Sequence, residues 1–161
     1  MANQENIQRE YMREVIRLSV ENVRSGKGGP FAALIVKDGV IVSKGTNLVT
    51  TVNDCTAHAE IVAIREACKQ LGTFRLDGCD IYASCEPCPM CLGAIYWSRL
   101  SRIFFAGTRA DATDAGFDDS LIYTELSKAI GERKISTVQL LREESLAAFD
   151  EWREKINKIK Y

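Results

Sequence analysis

Long apolar runs are missing from this chain of 161 residues. No stretch approaches the about 20 residues that span a bilayer. Charge of one sign is missing too: 21 Lys and Arg face 22 Asp and Glu, for a formal net charge of −1. With no long basic run, nothing marks a reader of nucleic acid or a binder of anionic membrane. Proline is scarce, at 3 residues, and Pro87 and Pro89 both flank Cys88. No Pro-, Gly- or Ser-rich linker and no internal repeat divides the chain, so one domain over 1–161 is expected. Residues 1–10 are polar, which argues against a secretory signal and for the cytoplasm. No P-loop, G-x-G-x-x-G or G-x-S-x-G occurs. Histidine is reduced to His58 alone, so imidazole chemistry can run only through that residue.

What remains is a globular composition, 46% hydrophobic and 27% charged, and an excess of cysteine. Six cysteines in a chain without a secretory signal speak for metal or catalysis rather than a disulfide framework. Cys55, Cys68 and Cys79 are scattered and read as small buried hydrophobes. Cys85, Cys88 and Cys91 are clustered.

Periodicity outlines the elements. Ile7, Tyr11, Val15 and Leu18 share a helical stripe, with Met12, Ile16, Ser19 and Val23 beside it, which predicts a helix over 6–24 stopped near Gly26. Two β-rich runs, 31–37 and 40–44, flank Asp38-Gly39, a strong hairpin signal. Further helices are predicted over 57–71, 88–97, 119–130 and 143–158, and strands over 80–84, 102–106 and 137–141. A hairpin followed by βαβ units gives an α/β fold of three layers, α/β/α, around a central mixed five-stranded sheet. Right-handed crossovers set the helix N-termini at the edge of the sheet where strands end.

Two segments fall at that edge. His58-Ala59-Glu60 opens one predicted helix, and Pro87-Cys88-Pro89-Met90-Cys91 opens the next. Cys88 and Cys91, three residues apart, present both thiols on one side of a helix start, where the helix dipole favours thiolate. One imidazole and two thiolates make a three-ligand zinc set with the fourth position open, the pattern of catalytic rather than structural sites. Zinc brings the pKa of water at such a site toward about 7. Glu60 lies beside the ligands and is free to move protons. The rival readings fit less well. Cys85, Cys88 and Cys91 form the C-x2-C-x2-C opening of a ferredoxin-type run, but Ile95-Tyr96 stands where Cys-Pro would follow. A thioredoxin-like pair leaves His58-Ala59-Glu60 unused. A zinc-stabilised binding module would need a closed site, with Cys85 as its fourth ligand.

Thr56-Ala57-His58-Ala59-Glu60 and Ser84-Cys85-Glu86-Pro87-Cys88-Pro89-Met90-Cys91-Leu92-Gly93-Ala94-Ile95-Tyr96-Trp97 carry the H-x-E…P-C-x-x-C pattern of zinc nucleobase deaminases. They resemble the cytidine deaminase-like superfamily. Gly28-Gly29-Pro30-Phe31, Asn47, Asp114-Ala115-Gly116-Phe117-Asp118-Asp119-Ser120 and Tyr161 narrow the resemblance to the small bacterial guanine deaminases. It implies one zinc ion per subunit, held by His58, Cys88 and Cys91, and hydrolysis of guanine to xanthine and ammonia. It also implies Glu60 as the proton shuttle and Asp119 as the acid that helps the amine depart while holding the base. Asn47 and the Ala59 backbone would contact the purine edge, and Phe31 and Trp97 would stack on it or wall it. The same resemblance implies a homodimer in which a segment of about 143–161 crosses to the partner subunit and closes its site with Tyr161. The expected partner is thus a small purine, with no nucleic acid and no membrane. Cytosine, guanosine and tRNA adenosine deaminases share the zinc chemistry and are the nearest alternatives.

Overall fold

Asp38 and Gly39 both take positive φ, 49° and 78°, and fold β1 (Ala32–Lys37) back onto β2 (Val40–Thr46). This left-handed pair matches the right-handed twist of the strands it joins. The computed structural model describes residues 2–160. The chain divides into two compact units, the first ending at Asp119 and the second beginning at Ser120. In the first unit α1 (Ala2–Arg24) precedes the hairpin. After it come α2 (Val49–Val52), α3 (Ala59–Leu71), β3 (Cys79–Cys85), α4 (Pro89–Trp97), β4 (Arg102–Gly107) and α5 (Arg109–Asp114).

The strands form one mixed sheet in the order β2-β1-β3-β4. β1 runs antiparallel to β2 and β3, and β3 runs parallel to β4. This order decides where chemistry can gather. Because β1 opposes both neighbours, its first residues share an edge with the last residues of the other strands. Ala32 pairs with Thr46, Ala33 with Ala83, and Cys85 with Gly107. The chain therefore enters that edge at Phe31 and leaves it at Asn47, Glu86 and Thr108.

Alternation along β1 supplies both faces of the sheet. Ala33 and Ile35 join Ile81, Ala59, Ala63, Ile64, Ala67 and Ile95 under α3 and α4. Ala32, Leu34 and Val36 join Tyr82 and Val15 under α1. The buried stripe of α1 is narrower than its sequence pattern suggests. Val15, Ser19 and Asn22 are buried, whereas Ile7, Ile16 and Val23 lie exposed. Gly45 shows how closely α3 meets β2: a Cβ there would sit 2.2 Å from the Ala59 carbonyl oxygen and 2.6 Å from the Ala63 nitrogen.

The sheet has four strands rather than the five expected. The missing strand is 137–141, which belongs to the second unit together with α6 (Ser120–Ser127), a 3-10 turn at Ile130–Glu132 and α7 (Arg142–Glu154). Among the described residues that unit contains no strand for 137–141 to pair with, and apolar, β-branched composition makes a strand only against a partner. Val138 and Leu140 stand exposed, and Leu141 turns to φ 50° ahead of α7. The helix expected over 119–130 is correspondingly shorter, ending at Ser127. No helix among the described residues is long and apolar enough to cross a membrane.

Candidate active site

Two helix N-termini meet at the sheet edge. His58 is the N-cap of α3 and Cys88 the N-cap of α4, with extended backbones at φ −66°, ψ 156° and φ −64°, ψ 167°. N-cap side chains ordinarily accept a hydrogen bond from the first turn. Neither does so here, which leaves both side chains available to a ligand. Pro89 at the start of α4 costs no hydrogen bond, because a first-turn N–H has no partner within the helix.

His58 Nδ1 lies 3.6 Å from Cys88 Sγ and 3.6 Å from Cys91 Sγ. All three atoms fall within 4.8 Å of one another. A tetrahedral zinc with bonds of about 2.0–2.1 Å to nitrogen and about 2.3 Å to sulfur places N and S about 3.6 Å apart. The donor set and its spacing therefore fit zinc. Cys85 is not part of this cluster among the described residues. Its thiol donates to the Thr108 carbonyl at 3.4 Å. With three protein ligands, the fourth position stays open.

The thiols divide their titration. A hydrogen bond from Cys91, with His58 beside it, holds the Cys88 thiol at about 4. Cys91 is pushed far up, first by its bond to Cys88, then by burial and by the charge of Glu60. His58 is raised chiefly by its bond to Cys88. Glu60, in the first turn of α3, is only 8% exposed. Burial pushes its carboxyl up; hydrogen bonds from its own backbone N–H and from the Cys91 thiol oppose the shift. A carboxyl so placed can take up a proton and release it again.

Other expected residues come to the same edge. Asn47 follows β2 and is buried. Its N–H donates to the Phe31 carbonyl at 3.0 Å, and its Oδ1 accepts the Val49 N–H at 3.3 Å. Leu48 N–H donates to the Ala57 carbonyl at 3.0 Å, tying Asn47 to the segment that carries His58. Ala59 opens α3, where first-turn N–H groups have no acceptor within the helix. Phe31 is half-buried and meets Phe117 edge-on, with centroids 4.9 Å apart and planes at 84°. Asp119 follows two residues later. Burial and the negative charge at Cys88 push its carboxyl up, while Arg109 opposes them. Its Oδ1 is buried without a hydrogen-bond partner, which costs about 1–3 kcal/mol unless a ligand supplies a donor.

Trp97 ends α4 and is 65% exposed. Tyr161 lies outside the described residues. Two contributors carry no motif in the sequence, Asn22 and Gly45, whereas Phe117 lies within the Asp114–Ser120 segment. Asn22 alone had a signal, a polar residue in register with Val15 and Ser19 on the buried stripe of α1.

The profile of the cytidine and deoxycytidylate deaminase zinc-binding region matches residues 5–107. Guanine deaminase of Bacillus subtilis (strain 168) is 53% identical over 151 residues, which is 94% of this chain and 97% of that protein. The tRNA-specific adenosine deaminase of Aquifex aeolicus is 48% identical over 77 residues, 48% of this chain and 51% of that protein. Among solved structures, guanine deaminase from Bacillus subtilis superposes with a TM-score of 0.92 at 52% identity, covering 95% of this chain and 98% of that one. A guanine deaminase from Nitrosomonas europaea superposes with a TM-score of 0.63 at 36% identity, covering 67% of this chain and 63% of that one.

Proposed function

The chain belongs to the cytidine and deoxycytidylate deaminase zinc-binding family, and on that premise we propose that it hydrolyses guanine to xanthine and ammonia. The likeness to Bacillus subtilis guanine deaminase along 94% of the chain carries the choice of base. The tRNA adenosine deaminase of Aquifex aeolicus is matched by only 48% of this chain.

His58, Cys88 and Cys91 would hold zinc, which when bound supplies the Lewis acidity that brings water toward ionisation at neutral pH. Glu60 accepts the proton released as the water oxygen bonds to C2 of guanine, and delivers it to the neighbouring ring nitrogen. Asp119 takes a donor from the base edge onto its orphaned Oδ1 and helps protonate the departing amine. The second proton of the water, on the new C2 hydroxyl, passes by way of Glu60 to the amine; the C2 carbonyl forms as the C2–N bond breaks, and ammonia leaves. With its Oδ1 engaged by Val49, Asn47 offers its amide N–H groups to the purine carbonyl. The first-turn N–H at Ala59 adds a donor, and Phe31, braced by Phe117, walls the base.

The active unit is a homodimer in which about 143–161 crosses to the partner and Tyr161 closes the partner's site. Supporting this, α6 and α7 bury none of their residues, and Leu126, Phe149 and Ile156 are among the apolar side chains they and their flanks expose. A two-fold arrangement lets each tail cover the other subunit's site. The catalytic reading is tested by measuring ammonia release from guanine in parallel with zinc content. Turnover should track about one zinc per chain and be lost on chelation and regained on reloading; turnover by the stripped protein would overturn it.

A further inference from the structure

We propose that Asn22, near the end of α1 and outside every sequence motif, is a positioning residue that sets the Asn47 contact to the substrate. This rests on the reading of Asn47 as a contact to the purine edge.

Asn22 is 3% exposed. Its Nδ2 donates twice, to the Gly29 carbonyl at 2.9 Å and to the Asn47 carbonyl at 2.9 Å. Both hydrogens of the amide are used, and each pins a different segment of the site edge. Gly29 belongs to the loop before Phe31, and Asn47 to the exit from β2. The Asn22 carbonyl is engaged as well, by Lys27 N–H at 3.2 Å and by the Ser25 hydroxyl at 3.1 Å. The backbone at Asn22 is therefore anchored while its side chain holds the site edge.

The packing is too close for substitutes. A Cβ on Gly28 would sit 2.1 Å from the Asn47 carbonyl oxygen and 3.1 Å from Asn22 Nδ2. A Cβ on Gly29 would meet the Phe117 ring at 3.3 Å. The Thr51 hydroxyl, on α2, donates to the Lys27 carbonyl and draws the same loop toward the Asn47 turn. The donor set of Asn22 thus joins the wall residue Phe31, through Gly29, to the edge-reading residue Asn47. The zinc ligands and Glu60 stand on α3 and α4, which Asn22 does not touch through these bonds. Losing Asn22 should loosen recognition of the base while leaving metal and proton transfer in place.

The test is a double-mutant cycle on kcat/KM for guanine in the full-length, zinc-loaded protein, with Asn22→Ala, Asn47→Ala and the double variant. Asn22→Ala should raise KM about tenfold, the equivalent of about 1.4 kcal/mol. Zinc content should stay unchanged and kcat within about threefold. In the Asn47→Ala background the same change should alter kcat/KM less than about twofold, because the residue it positions is gone. A purely structural role would lower kcat/KM by the same factor in both backgrounds, and that result would overturn the proposal. So would a wild-type KM for Asn22→Ala while Asn47→Ala is impaired, an outcome that leaves the Asn47 contact standing. If Asn47→Ala itself behaves as wild type, the contact fails and this inference falls with it. Should Asn22→Ala not fold, Gly28→Ala crowds the same Asn47 carbonyl. Its rise in KM must likewise vanish in the Asn47→Ala background; persistence there overturns the proposal.

Discussion

Glu60 has to be buried to work and ionised to begin, and its surroundings serve both needs. Burial raises its carboxyl, while its own N–H and the Cys91 thiol keep the charged form within reach. Glu60→Gln keeps the shape and cannot carry a proton. We expect kcat to fall by about 10²–10⁴-fold, with zinc content and thermal unfolding unchanged; a variant releasing ammonia at the wild-type rate would remove Glu60 from the mechanism. Cys85 gives the complementary control. Its thiol is spent on the Thr108 carbonyl and stands outside the ligand cluster, so Cys85→Ser should retain wild-type zinc by elemental analysis. His58→Ala should lose it.

At the scale of elements, β2 meets α3 by close approach at Gly45 and by a hydrogen bond from the Ser43 hydroxyl to the Ala63 carbonyl at 2.7 Å. Gly45→Ala inserts a methyl 2.2 Å from the Ala59 oxygen, so the first turn of α3 must move, and His58 and Glu60 with it. Overpacking of this kind costs about 1–3 kcal/mol, and the variant should show a lower Tm together with weaker zinc retention, both measurable by calorimetry with and without added metal. Between α1 and β2, Glu14 pairs with Arg17 and with Lys44 at 2.8 and 2.7 Å. Those bonds, Arg17 first, hold its carboxyl down from 4.5 to about 2. A depressed carboxyl stabilises the fold above its unfolded pKa and loses that contribution as pH falls through its folded one. Glu14→Gln should therefore be less stable than the natural chain at neutral pH by at most about 1 kcal/mol. The difference should shrink below about pH 4.5 and vanish near pH 2 in urea titrations.

The elements differ in how far they were legible. The Asp38-Gly39 turn and the Cys88/Cys91 spacing are local, so short patterns reveal them. Asn22 meets Asn47 across 25 positions, and Gly45 meets Ala59 across a strand–helix interface; no local pattern encodes such contacts. The segment 137–141 has strand composition, but pairing is a property of two segments and composition describes only one.

For the whole molecule, the division at Asp119 matters most. The second unit exposes apolar side chains through its length, Ile156 at 95% among them, more than a solvated end requires. If that unit closes the partner's site, two individually inactive chains should rescue each other. A Glu60→Gln subunit has a good tail and a dead site; a subunit lacking the last residues has a good site and no tail. Mixed dimers should recover part of the guanine turnover. Heterodimers that form and stay inactive would show that the tail does not cross.

The central claim is the choice of base on a zinc deaminase site, and a single competition decides it. Guanine, guanosine, cytosine and adenine, equimolar in one tube with the zinc-loaded protein, are followed by mass spectrometry. Depletion rates then report the ratio of kcat/KM values directly. The account predicts that xanthine forms first, with guanine consumed at least about tenfold faster than cytosine or adenine, the penalty for one unpaired polar edge. Faster appearance of xanthosine, uracil or hypoxanthine would contradict it.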